Sequence, residues 1–260
     1  MVTRNAIRIA LCFALSGVAT AFASESGTLA ARAQKSLKAG KFARAYSQLE
    51  RALIASRKEA DIRSENRIFI TMGQVRTMSL DFNFADSLLN YINSDEADRT
   101  TRIMLVKAKM GLKNATENYS NAVSLCESVS EDDLKEIDDN LQGAFYSECA
   151  IAYAGTHSEE KANKALKMVD KRIDDDTGIY YWTQARMADL QGQGDADQLY
   201  RKAEEKFVEA NVPYMTANIL YHRAKYLNKS NSKESKKLFE RCQTAFELMG
   251  LPNNTKRCEK

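Results

Sequence analysis

The stretch GKFARAYSQLERAL, residues 40–53, decides the fold. A glycine turns the chain, and Phe42, Ala45, Leu49 and Ala52 then follow at steps of three and four. Those steps place the four side chains on one face of an α-helix. Small Ala45 and Ala52 let a neighbouring helix approach closely, and Leu49 fills the space between. The same small–large–small step recurs at Ala85, Leu89 and Ile92, at Ala115, Tyr119 and Ala122, and at Ala162, Leu166 and Val169. It returns at Ala196, Tyr200 and Ala203 and at Ser235, Phe239 and Cys242. The starting positions lie 40, 30, 47, 34 and 39 residues apart. A period of that size predicts an array of helical hairpins, because one hairpin alone cannot bury its apolar face.

A second helix is expected before each triplet. Its marks are Leu29, Ala33 and Leu37, then Phe69, Gly73 and Arg76, then Met104 and Ala108. Tyr146, Ala150 and Tyr153 follow, then Tyr181, Ala185 and Ala188, then Leu220, Ala224 and Leu227. The segments KAGKF, SLDF, QGQGD and NKSNS mark turns between paired helices. With 44% hydrophobic residues in 260 and only two prolines, Pro213 and Pro252, the composition favours helices joined by short connections.

This pattern resembles the tetratricopeptide repeat (TPR). LKAGKFARAYSQLERALIAS is similar to the turn and second helix of that repeat, and TMGQVRTMSLDFNFADSLLNYI to most of a unit. The resemblance spans roughly residues 25–250, is closest in the first two units and lacks the proline that often ends a unit. It implies an all-α, right-handed superhelical array (an α-solenoid) of about six hairpins. It also implies peptide or protein binding in a concave groove formed by the first helix of each pair.

Residues 1–23 read as a cleavable secretory signal peptide. Arg4 and Arg8 precede an apolar run from Ile9 to Ala19, and Ala21-Phe22-Ala23 supplies a small-x-small cleavage site. The run is shorter than the roughly 20 residues of a membrane span. The expected organisation is therefore a signal at 1–23, the array at 24–250 and a tail at 251–260, exported to a bacterial periplasm or secreted, with no integral membrane segment in the mature chain. Loss of Arg4 and Arg8 takes the formal charge from +3 to +1. No basic field for nucleic acid is left.

Four cysteines follow the signal. Cys126 and Cys149 fall on elements expected to be neighbours, and Cys258 lies in a tail able to fold back over buried Cys242. Export favours two disulfides, each worth about 3 kcal/mol at such loop lengths; four unpaired thiols are the other reading.

Catalytic chemistry is not evident. His157 and His222 are the only histidines, read as solvated or capping residues. No nucleophile elbow, phosphate loop or zinc motif occurs. A calcium loop from Asp174 would need an acid at Ala185, and one from Asp195 an acid at Lys206. No metal, cofactor or catalytic residue is expected. The candidate site is instead two aromatic–cation pairs, Trp182 with Arg186 and Tyr221 with Lys225, at equivalent places in the fifth and sixth hairpins. Each cation lies four residues from its ring, close enough to stack on it. Gln34, Gln74 and Lys109 take corresponding places earlier. Core packing is the competing role for the two aromatics.

The expected function is an exported, non-enzymatic scaffold that binds a protein or peptide in its groove. The alternative is a structural subunit of an envelope complex that docks through a long final helix, residues 231–249, carrying Phe239, Phe246, Leu248 and Met249. An enzyme is a distant third.

Overall fold

A computed structural model describes residues 24–173, 176–228 and 230–259; the signal expected at residues 1–23 lies outside them. Among the described residues the chain is all-helical, with no strand. The helices are α1 (Glu25–Lys38), α2 (Phe42–Lys58), α3 (Ile62–Met78), α4 (Phe82–Asn90), α5 (Arg99–Ala115), α6 (Tyr119–Glu127) and α7 (Glu131–Lys135). They continue as α8 (Asp139–Gly155), α9 (Glu159–Ile173), α10 (Gly178–Gln191), α11 (Ala196–Glu209), α12 (Pro213–Leu227), α13 (Ser232–Leu248) and α14 (Pro252–Cys258). Six consecutive pairs pack as hairpins: α1 with α2, α3 with α4, α5 with α6, α8 with α9, α10 with α11 and α12 with α13. The first helices also touch in succession, α1 on α3, α3 on α5, α5 on α8 and α8 on α10.

Helix starts are written as aspartates. Asp61, Asp98, Asp138 and Asp195 each accept a hydrogen bond from the backbone N–H three residues on. Helix ends repeat one motif. At the α1–α2 turn the Gly40 N–H donates to Leu37 O and the Lys41 N–H to Ser36 O, with Gly40 at φ 71°. The same two bonds close the turns at Ala60, Leu80, Glu117, His157, Asn211 and Gly250. This is the left-handed C-terminal cap, normally given to glycine. Here it is imposed on alanine, leucine, glutamate, histidine and asparagine as well.

Five of the six triplets are confirmed as packing positions. Ala45, Leu49, Ala52, Ala85, Leu89, Ala162, Val169, Ala196, Tyr200, Ala203 and Cys242 have no solvent exposure. The third triplet is corrected. Ala115 is exposed at the end of α5, Tyr119 opens α6, and the left-handed Glu117 lies between them. Of that triplet only Ala122, on α6, is fully buried. The turn has no glycine, and its one signal is Asn118, which caps α6 by accepting from the Asn121 N–H. Close approach elsewhere uses glycine as expected: a Cβ on Gly73 of α3 would lie 2.7 Å from Leu89 Cδ2 of α4.

The two ends of the array meet. The Tyr214 hydroxyl on α12 donates to Met78 O, at 3.1 Å, and Asn254 Nδ2 on α14 donates to the same oxygen at 3.0 Å. Asn253 Nδ2 reaches Ser79 O at 3.2 Å. The ring of Phe42, at the start of α2, lies 5.5 Å from that of Tyr214. A Cβ on Gly40 would sit 3.0 Å from Pro213 Cγ. One apolar cluster accordingly includes residues of α1 to α4 and of α12 to α14.

Both cysteine pairings read from the sequence are present. Cys126 and Cys149 link α6 to α8 with Cα atoms 5.6 Å apart, and Cys242 and Cys258 link α13 to α14 at 6.0 Å. The tail is thus a short helix held on the last hairpin. Of the apolar residues expected to dock a partner, Phe239 and Phe246 are buried within the chain and Leu248 is 84% exposed. Among the described residues no helix is long and apolar enough to cross a membrane.

Two substitutions test this architecture. Ala60 is exposed at φ 52°, so Ala60→Gly relieves a left-handed alanine. It is expected to raise unfolding stability by about 0.5–1 kcal/mol in urea titration. Asn254→Ala removes a fully buried closing bond and is expected to lower stability by about 1–2 kcal/mol.

Candidate functional site

Closure turns the inner face of the array into a cavity of ≈ 310 Å³. Its wall is built from the first helices. Gln74 and Thr77 of α3, Gly111 and Asn114 of α5, and Ser147, Glu148 and Ile151 of α8 form one side. Ile179, Trp182 and Arg186 of α10 and Met215, Asn218, His222 and Lys225 of α12 form the other, with Tyr221 beside them. Steps of three and four repeat in each set, as they must for one face of a helix. Arg257 of α14 completes the wall.

The anticipated residues divide clearly. Trp182, Arg186, Tyr221, Lys225 and Gln74 all line the cavity. The Arg186 guanidinium lies 5.8 Å from the Trp182 ring, so that pair stacks as expected. The second pair is corrected: Lys225 Nζ turns to Glu117 Oε1 at 3.2 Å, and the face of Tyr221 is covered by Arg257 at 4.2 Å. Lys109 is absent from the wall and lies in the field of Asp86 and Lys113, where burial lowers its pKa. Its place in the cavity is taken by Lys107, two residues earlier. Gln34 does not reach the wall.

His222 is neither solvated nor a cap. Its ring packs edge-on, 5.2 Å from Trp182 and 5.1 Å from Tyr221. Burial, with Arg186, Arg257 and Lys225 around it, holds its pKa well below the usual histidine value. Across the cavity the Glu148 carboxylate accepts from Asn114 Nδ2 at 2.8 Å. Burial raises its pKa, while Asn114 and Lys107 draw it back. Arg186 is only 7% exposed and is neutralised by Asp189 at 3.0 Å, with the Tyr200 and Tyr119 hydroxyls at 3.5 and 3.4 Å.

Arg257 differs from its neighbours. Its Nη2 donates to Asn218 Oδ1 at 2.7 Å, and its Nε is buried without a hydrogen-bond partner. Among the described residues no carboxylate forms an ion pair with it. Its pKa is lowered by burial and partly restored by Tyr214 and Tyr221. Among the described residues there is also no cluster of three metal-ligating side chains, and no hydrogen bond reaches the His222 ring. The wall presents aromatic edges, one acid pushed toward neutrality, and cations at the α10–α12–α14 side.

Three of these groups escaped the sequence reading. His222 was legible as part of the face Met215, Asn218, His222 and Lys225. Glu148 is an isolated acid within the apolar run of α8. Arg257 was detectable only through the pairing of its neighbour Cys258. No protein-family model matches the chain, and no curated protein matches it.

The depressed His222 pKa has a definite sign. Above about pH 6.5 the ring is neutral in both states. As pH falls through that value the unfolded chain takes up a proton that the folded chain refuses, and stability is lost. Raised Glu148 acts in the opposite direction, its penalty easing as the carboxylate protonates. The urea midpoint of the native protein is expected to fall more steeply between about pH 7.5 and 5.5 than that of His222→Gln. Equal slopes would mean that the ring titrates normally.

Proposed function

We propose that this chain is an exported, non-catalytic scaffold of the tetratricopeptide-repeat type, an α-solenoid of about six hairpins whose inner face binds a peptide or protein end. The observation that carries the reading is the aromatic wall. Trp182, His222 and Tyr221 stack edge to face on adjacent first helices and line the cavity, while the outer faces of Trp182 and Tyr221 rest on core residues Tyr200 and Phe239. Buried small–large–small triplets and paired helices support the repeat assignment. The two disulfides suit an oxidising compartment.

The cavity sets the scale of the ligand. A volume of ≈ 310 Å³ is at the lower end for small-molecule sites and admits one or two residues rather than an extended strand. Binding in this reading is passive. Stacked hairpins hold the rings in place, so little ordering is needed when the ligand arrives. The rival docking role for the final helix is weakened by the burial of Phe239 and Phe246 in the chain's own core.

Trp182 is the only tryptophan, so its fluorescence reports directly on the cavity. An array of short peptides with varied ends is to be probed with purified protein and with a Trp182→Ala, Tyr221→Ala variant, and hits followed by native tryptophan emission. Peptides that shift the emission and lose at least about tenfold in affinity with the variant are expected. Hits retained equally by both proteins would place binding elsewhere on the surface.

A further inference from the structure

The cavity carries more positive than negative charge, and the surplus has an address. Arg186, Lys225 and Arg257 all act on His222. Asp189 neutralises the first and Glu117 the second. The third has only an amide oxygen, the faces of Tyr221 and Phe246, and an orphaned Nε. An enclosed guanidinium without an anion is costly; Arg223, whose side chain is 5% exposed and which also keeps one nitrogen without a hydrogen bond, is met by Asp197 at 2.7 Å and Glu204 at 3.6 Å.

We propose that the cavity binds an organic carboxylate joined to an apolar or aromatic group, with Arg257 as the anion anchor and Trp182, Tyr221 and Phe207 as the apolar wall. The inference rests on the reading of the cavity as a binding site and names the chemistry that it selects. A guanidinium fork matches a carboxylate. One uncompensated cation suits a single negative charge. The apolar group has Tyr221 beside the anchor and Ile179, Met215 and Phe207 around it. A peptide C-terminus and a free arylalkanoic acid share this chemistry.

The test uses three probes: N-acetylphenylalanine, its uncharged amide, and 3-phenylpropionate, titrated by calorimetry and by Trp182 emission. The proposal expects both acids to bind and the amide to bind at least about tenfold more weakly. It expects Arg257→Gln to weaken the acids at least about tenfold, and Arg257→Lys to keep part of the affinity. The first acid bound more tightly assigns the site to peptide ends, and the second assigns it to free acids; either supports the carboxylate.

Acid and amide bound equally, or acids bound equally by Arg257→Gln, would overturn the anchor while leaving the cavity a binding site. No binding by any probe would overturn the carboxylate proposal, and the peptide array then decides the broader reading separately. Near-ultraviolet circular dichroism and an intact Cys242–Cys258 mass guard against a misfolded Arg257→Gln. If that variant does not fold, the comparison of acid with amide on the native protein carries the decision.

Discussion

The carbonyl oxygen of Met78 sits where the two ends of the array join. It belongs to the last turn of α3, where a helix has no acceptor use for it. Two donors from the far end of the chain satisfy it, the Tyr214 hydroxyl and the Asn254 amide. Without that junction the first helices would border an open groove. With it they border a cavity, and the groups facing inward experience a poorly solvated interior. Burial shifts the pKa values of His222 and Arg257 down and that of Glu148 up within that wall. Gly40 is required there for two reasons at once, its left-handed backbone and the approach of Pro213 to within 3.0 Å of where a Cβ would lie.

The walls and the cavity handle charge differently. Between α11, α12 and α13, Arg223 is enclosed by Asp197 and Glu204, and Arg241 adds a second contact to Glu204 at 2.6 Å. That network pairs Arg223 with two carboxylates, although its Nη2 makes no hydrogen bond, and it ties neighbouring hairpins together. Inside the cavity the cations outnumber their acids, and aromatic faces take up the remainder.

Much of the architecture was legible because helix packing leaves a mark at steps of three and four. Ala45, Leu49 and Ala52 reveal a buried face without any knowledge of its neighbours. The third hairpin was misplaced because its turn relies on Glu117 at φ 57°, a residue with no turn signature. Both disulfides were legible from hairpin order. Trp182 and Arg186 were legible as a stacked pair, whereas Lys109 failed with the register of its hairpin. The closure was not legible at all. It joins residues 78 and 254, and local periodicity carries no information about a contact 176 positions long. Arg257 and the enclosed state of His222 depend on that contact and were hidden with it.

The same separation has a consequence for how the molecule assembles. Nearly every other contact lies within a hairpin or between neighbouring hairpins, the kind of topology that forms quickly. The first two hairpins can be complete while the last is still being made, leaving the end of α3 uncapped and Phe42 without Tyr214. The final seven-residue helix then completes the inner wall. Synthesis order therefore dictates that the seam shuts last, and that the cavity comes into being only when the polypeptide is essentially finished.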